Sequence, residues 1–235
     1  MDTPTFDVVF LSYDEPLAGA LYARLAAVLG VPVKRLHGVR GMRRAYQLTA
    51  QVADTDQYLL ADADFEIDRA FRLADVAPLL DAEAMRVWRT VNAVNGLTYG
   101  YGGLKLVRRQ AVADLGQAVD VLSALPGRVR FTPAVAGRTR FNQSRLHAWR
   151  AGFRECAMLT RGCEYGTATA EAQARIATWT STGSGPYADW ARAGARAGVV
   201  FAERAGPQAI VWDQLNDPAW LDARFGATEA PQAMR

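Results

Sequence analysis

The run Gln57-Tyr58-Leu59-Leu60-Ala61-Asp62-Ala63-Asp64-Phe65-Glu66-Ile67-Asp68 decides how the rest of the chain is read. Tyr58 to Ala61 form a short apolar stretch with the length of a strand buried on both faces. Two carboxylates follow at once, Asp62 and Asp64. In extended backbone, residues i and i+2 point to the same side, so both acids can converge on one ion. Oxygen ligands alone suit a hard divalent cation, Mn2+ or Mg2+, held together with a diphosphate. The crevice beyond the carboxyl end of a parallel strand is also where open α/β sheets bind nucleotides. The bland alternative is an acid pair that caps a helix or shapes a turn.

Upstream, Phe6 to Leu11 reads as a first buried strand. Ser12-Tyr-Asp14-Glu15-Pro16 ends it and opens a helix, with proline in the first turn and acids near the positive end. Leu17, Leu21, Leu25 and Val28 mark the apolar face of that helix to about Gly30. Val33 to Gly38 predicts a second strand, and Gly41 precedes a helix from Met42 to Ala53. The order βαβαβ implies a parallel sheet with right-handed crossovers. No G-x-G-x-x-G follows the first strand and no G-x-x-x-x-G-K-[ST] occurs, which demotes nicotinamide enzymes and P-loop NTPases. Asp14 and Glu15 stand there instead, suited to a base edge or ribose hydroxyls, or to helix capping.

Downstream, Ile67 to Phe71 reads as a connection, Met85 to Thr90 as a strand, and Lys105 to Arg108 as another. Between them lies Asn95-Gly-Leu-Thr-Tyr99-Gly-Tyr101-Gly102-Gly103, whose glycines would let a ligand approach and whose rings could stack, unless it is a plain hairpin. Phe131 to Asn142 reads as irregular or short edge strands. Ser144 to Thr160 is a capped helix with Trp149 and Phe153 on its core face. Further helices cover Thr169 to Trp179 and Tyr187 to Glu203, split by a possible lid, Ser181 to Pro186. The last thirty residues pack back through Trp212, Trp220 and Phe225 before a frayed tail from about Thr228.

The chain has 235 residues, is half hydrophobic and 22% charged, and carries a net charge of +3. These totals fit one domain, divided into residues 1–108 and 109–235. No apolar run of about 18 residues occurs and Asp2 and Asp7 interrupt any leader pattern, so a cytoplasmic protein without membrane contact is expected. Cys156 and Cys163, about 10 Å apart if on one helix, predict reduced thiols. Arg128, Arg130, Arg138, Arg140, Arg145, Arg150 and Arg154 fall in a stretch without acids, which suggests a nucleic-acid surface or merely a solvated face. Lys34, Arg35, Arg40, Arg43 and Arg44 form a second basic cluster.

With these stretches laid out, the chain resembles the GT-A class of nucleotide-sugar glycosyltransferases, and within it small glycosyltransferase-like proteins of tailed bacteriophages. The matching stretches are Asp7 to Pro16, Arg35 to Gly41, Leu60 to Asp64, Val94 to Leu106, Trp149 to Cys156 and Ala193 to Gly198. The resemblance implies a GT-A-like, Rossmann-like, mostly parallel sheet flanked by helices, with a helical C-terminal part. It implies transfer of a sugar from a nucleotide-sugar donor, a UDP-sugar by preference, to a hydroxymethylated pyrimidine in phage DNA, inside the host cytoplasm. A base modified within a duplex must be flipped out and held.

On this reading Ser12, Asp14, Glu15, Arg40, Arg44, Asp62, Ala63 and Asp64 bind the donor, with Arg43 a further phosphate contact. Asp62, Asp64 and His147 are the candidate metal ligands. Asn95, Tyr99, Tyr101, Gly102, Gly103, Lys105, Arg138 and Arg140 face the acceptor. If the reaction inverts, a carboxylate must take the acceptor proton; Glu155 is the first candidate and Asp189 the second. Three other readings stay open: a haloacid-dehalogenase-like phosphatase using the acid pair, a sugar-nucleotide pyrophosphorylase, which the lack of a glycine-rich N-terminal nucleotide loop disfavours, and a non-catalytic nucleic-acid-binding protein on the same fold.

Overall fold

The computed structural model describes residues 6–100, 103–206 and 212–229. The chain divides into two compact units, the first comprising residues up to 93, 98–117 and 124–140, the second 94–97, 118–123 and 141 onward. The expected division near residue 108 differs because the strand that follows it pairs back into the first unit's sheet.

The first unit opens as anticipated: β1 (Asp7–Ser12), α1 (Ala18–Leu29), β2 (Lys34–His37), α2 (Met42–Val52) and β3 (Gln57–Asp62). Strands β1, β2 and β3 are parallel. Val8, Phe10, Leu59 and Ala61 face Leu21 and Leu25 of α1 in one core. On the other side, Thr49 of α2 bonds the Tyr58 hydroxyl at 2.7 Å. Tyr58, Leu59, Leu60 and Ala61 expose no surface, so β3 is dry on both faces as its composition predicts. One detail differs: α1 begins at Ala18 with no acid in its first turn, so Asp14, Glu15 and Pro16 shape a turn ahead of the helix rather than capping it.

Beyond β3 the structure departs from the parallel expectation. The remaining strands are β4 (Phe65–Ile67), β5 (Glu83–Asn92), β6 (Thr98–Tyr99), β7 (Leu104–Arg108) and β8 (Arg128–Thr139). The order across the sheet is β2-β1-β3-β7-β5-β8-β4, with β6 on β5. β7 runs antiparallel to both β3 and β5, which makes the sheet mixed. β4, whose last residue Ile67 was expected to begin a connection, pairs antiparallel with β8. β8, expected as irregular or edge structure, is a twelve-residue interior strand parallel to β5. Its pairing shifts between Phe131 and Val135, and Pro133, which has no amide to donate, falls in that interval. The start of the glycine-rich stretch turns between β5 and β6 as a hairpin, with Thr90 opposite Tyr99.

The second unit is helical: α4 (Arg145–Arg161), α5 (Thr169–Ser181), α6 (Ala188–Ala205) and α7 (Pro218–Glu229), the short α3 (Arg109–Ala113) belonging to the first. Ser144 caps α4 by accepting from the His147 amide, as predicted. Trp149 and Phe153 stack at 4.7 Å and join Phe201, Trp212, Leu215 and Leu221 in the unit's core. Helices α4 and α6 touch backbone to backbone. A Cβ added at Gly194 would lie 2.1 Å from the Trp149 carbonyl oxygen, one at Gly198 2.2 Å from that of Phe153, and one at Gly152 2.1 Å from that of Ala191. Cys156 is buried in α4, whereas Cys163 lies beyond the helix end; both are free thiols.

These contacts give a direct test. Gly194→Ala and Gly198→Ala should each lower unfolding stability by about 1–3 kcal/mol, because rigid backbone must move apart. Gly19→Ala, at a helical position with nothing within 4 Å, should instead raise stability by about 0.5–1 kcal/mol. Urea unfolding followed by circular dichroism measures all three.

Candidate functional site

The chain leaves β1 for β2 on one side of the sheet and reaches β3 on the other, so β1 and β3 form the switch point of the parallel part. Their carboxyl ends meet in register, with Leu11 opposite Asp62. Ser12 to Glu15 therefore lie beside Asp62 to Asp64, all within the first unit.

Asp62 is held by Lys105. The Lys105 side chain is entirely buried in β7, its ammonium donates to Asp62 Oδ1 at 2.7 Å, and the Tyr46 ring of α2 lies 5.1 Å away. Burial alone would push the lysine's pKa down, but the Asp62 carboxylate and the Tyr46 hydroxyl outweigh it and raise the value. Lys105 was expected to meet an acceptor; it instead compensates the acid pair from inside the sheet. A charged residue amid Leu104, Leu106 and Val107 is the sequence signal that could have revealed this, since a lysine in a dry strand needs an internal partner.

Asp64 has no such partner among the described ion pairs. Burial first, then the neighbouring charges of Asp62 and Glu15, push its carboxyl from an ordinary 3.8 to about 7, with Lys105 opposing only in part. Glu15 accepts from the Tyr13 amide at 2.7 Å, which turns it back over the end of β1. The oxygen acids Asp62, Asp64 and Glu15 thus interact electrostatically with one another, a chemistry that suits a hard cation. Among the described residues no three His, Cys, Asp or Glu side chains form a ready-made metal cluster. A cation would therefore need oxygens from its ligand or water as well. His147, the third expected metal ligand, belongs to the second unit, where its Nδ1 lies 2.7 Å from Ser144 Oγ.

The remaining candidates separate clearly. Ser12 is buried, its Oγ 3.0 Å from His37 Nδ1 and accepting from Arg35 Nε at 3.2 Å, so it ties β1 to β2. Arg35, expected as part of a basic cluster, and His37 thus join Ser12 at this end of the sheet. Asp14, Arg40 and Arg44 are exposed around the ends of β1 and β2 and the start of α2, and Arg43 is half-buried there. Ala63 points into the core, leaving only its backbone for a ligand.

The expected acceptor set largely turns inward. Tyr99 is buried and cannot serve as a stacking platform. Gly103 accepts from the Asp62 amide, and a Cβ there would come within 3.0 Å of the Phe65 ring, so packing explains the glycine. Arg140 bonds Glu66 at 2.7 Å while its amide donates to the Asp64 carbonyl at 2.6 Å, fastening the end of β8 to the acid turn. Arg138 is exposed on β8 opposite Glu66. Asn95 lies in the second unit and accepts from the Leu97 amide. Tyr101 and Gly102 lie outside the described residues.

Both candidate bases sit in the second unit. Glu155 is committed to Arg175, a buried guanidinium on α5 that also bonds Glu164 at 2.6 Å. Burial and the Glu155 charge push Glu164 to about 8 despite Arg175. Asp189 is exposed in the first turn of α6 and pairs with Arg192. Both have arginine partners that account for them structurally.

No protein-family model matches the chain, and no curated protein does. A search of solved structures found the crystal structure of HddC from Yersinia pseudotuberculosis, 10% identical, covering 57% of this chain and 92% of that one with a TM-score of 0.39. That likeness is too slight to carry an argument.

The surroundings of Asp64 make one prediction about stability. Below pH 3.8 Asp64 is protonated in both folded and unfolded chains. As pH rises from there to about 7 the unfolded chain releases this proton and the folded one retains it. Asp64 therefore lowers stability progressively through that window, and the penalty is complete above it. Asp64→Asn should match the parent near pH 4 and melt several degrees higher at pH 8. Equal melting temperatures at pH 8 would show that Asp64 is not crowded as described.

Proposed function

We propose that the chain is a glycosyltransferase of the GT-A kind, moving a sugar from a nucleotide-sugar donor to a hydroxyl acceptor. The observation that supports this most is the placement of Asp62-x-Asp64 on the central strand at the sheet's switch point, directly beside Ser12 to Glu15. The antiparallel β7 inserted between β3 and β5 is compatible with the same reading.

In this proposal the nucleoside lies across the end of β1, beside the exposed Asp14. Arg40, Arg43 and Arg44 lie around the start of α2, whose first amides also favour phosphate. Asp62 and Asp64 would hold Mn2+ or Mg2+ together with oxygens of the diphosphate and water. When bound, such an ion offsets the charge that grows on the departing nucleoside diphosphate. Lys105 holds Asp62 through Oδ1. No general base is assigned, since Glu155 and Asp189 are both engaged by arginines.

The acceptor proposed is a hydroxymethylated pyrimidine in DNA, supported by the resemblance in sequence and by the exposed Arg128 and Arg138. The arginine-rich stretch supports it less than expected. Arg130 pairs with Glu83, Arg140 with Glu66 and Arg150 with Asp222, Arg154 bonds Leu215 and Asn216, and Arg145 lies over Trp190.

A melting-temperature panel of nucleotide sugars with and without MnCl2 tests the reading. One donor should raise the melting temperature by several degrees only when the metal is present, as expected at about a hundredfold excess over Kd. Asp64→Asn should abolish that increment and reduce sugar transfer by at least about a hundredfold while remaining folded. Full transfer by this variant would remove the metal from the proposal.

A further inference from the structure

We propose that the second unit holds a binding site for a small carboxylic acid with an apolar body, a slot between helices in which Arg224 takes the carboxylate and the aromatic floor takes the rest. The site lies within that unit and goes beyond the donor-site reading, on which it does not depend.

Three observations lead to it. The first is shape. Trp149 and Phe153 of α4, both buried, form the floor of an open slot of about 440 Å3, which Ala197 of α6 and Ala223, Trp220 and Arg224 of α7 also line. Alanines at those positions leave space that larger side chains would close, and the volume falls in the range of ligand clefts, on the order of 300–1,000 Å3. The second is the guanidinium. Arg224 is exposed, and its Cζ lies 4.4 Å from the Trp220 ring centroid and 4.7 Å from that of Phe201, so cation–π attraction fixes its place. No carboxylate, amide or carbonyl among the described residues accepts from it. Burial lowers its pKa, and no neighbouring acid opposes that shift. By contrast Arg150, Arg154, Arg175 and Arg192 of the same unit each have an acid or amide partner. Arg224 therefore presents a placed fork of donors, the geometry that a carboxylate meets with both oxygens. The third is Trp149 in the floor, whose buried indole N–H meets no acceptor among the described residues. Native interiors seldom leave such a donor unused.

An arginine that merely covers the aromatic core predicts no ligand, whereas a binding residue predicts one of defined chemistry. Calorimetric titration of the full chain with sodium 2-naphthoate and with sodium octanoate should show saturable one-to-one binding of at least one of them, with a Kd below about 1 mM. Either result supports the proposal: a preference for naphthoate assigns the slot to flat rings, and one for octanoate assigns it to acyl chains. The uncharged 2-naphthamide and octanamide should bind at least about tenfold more weakly than the matching acid, because they lack the charge-assisted bonds to Arg224.

Arg224→Gln should weaken binding of the acid by at least about tenfold. Ala223→Phe, at an exposed position beside the slot, should abolish binding by filling the space while the melting temperature stays near the parent's. If Arg224→Gln does not fold, the comparison of acid with amide and the Ala223→Phe variant decide. No binding of either acid up to about 10 mM overturns the site. An amide that binds as tightly as its acid overturns the role of Arg224, and undiminished binding by Ala223→Phe overturns the location.

Discussion

Strand β3 is dry on both faces and ends in charge, and the first unit is built around that conflict. Apolar residues of α1 cover one face of the strand and Thr49 of α2 meets Tyr58 on the other, so its terminal carboxylates stand at the edge of a low-dielectric slab where unpaired charge is costly. Lys105 relieves the cost for Asp62 from the neighbouring antiparallel strand. Arg140 and Gly103 hold the turn in place through its backbone rather than its carboxylates. What is left is Asp64, whose carboxyl is pushed up by burial and by the charges of Asp62 and Glu15. Residual local charge of this kind is often found where a protein meets a ligand, because a site optimised for the folded chain alone would have paired it.

The second unit follows a different rule. Its helices approach so closely that Gly152, Gly194 and Gly198 are needed for the backbones to touch, and stacked aromatics fill the space to the side. Two of the sequence stretches that underlie the glycosyltransferase resemblance, Trp149 to Cys156 and Ala193 to Gly198, coincide with this seam. Their likeness is thus explained by packing, and it bears on fold rather than on chemistry. Glu155 belongs to the same logic: it lies beside the seam and serves, with Glu164, to compensate the buried Arg175.

The arginines show how composition can mislead. A stretch of arginines without acids looks like a phosphate-binding surface in one dimension. In three, acids from distant segments, Glu66, Glu83 and Asp222, come back to meet several of them. Linear charge density measures only what is near in sequence, whereas ion pairing depends on what is near in space.

By itself the sequence determined the first three strands and two helices nearly to the residue, the capped helix after Ser144, and the acid pair at the end of β3. Each depends on local periodicity or on a cap that acts within one turn, so neighbouring residues suffice to specify it. Only the tertiary structure decided that β4 and β8 are strands, that β7 runs antiparallel, and that Tyr99 and Gly103 serve packing. β8 has a proline and no alternating pattern, and its pairing partners lie tens of residues away. Lys105 illustrates the limit best: its role is set by Asp62, 43 residues earlier, and no window of neighbours contains both.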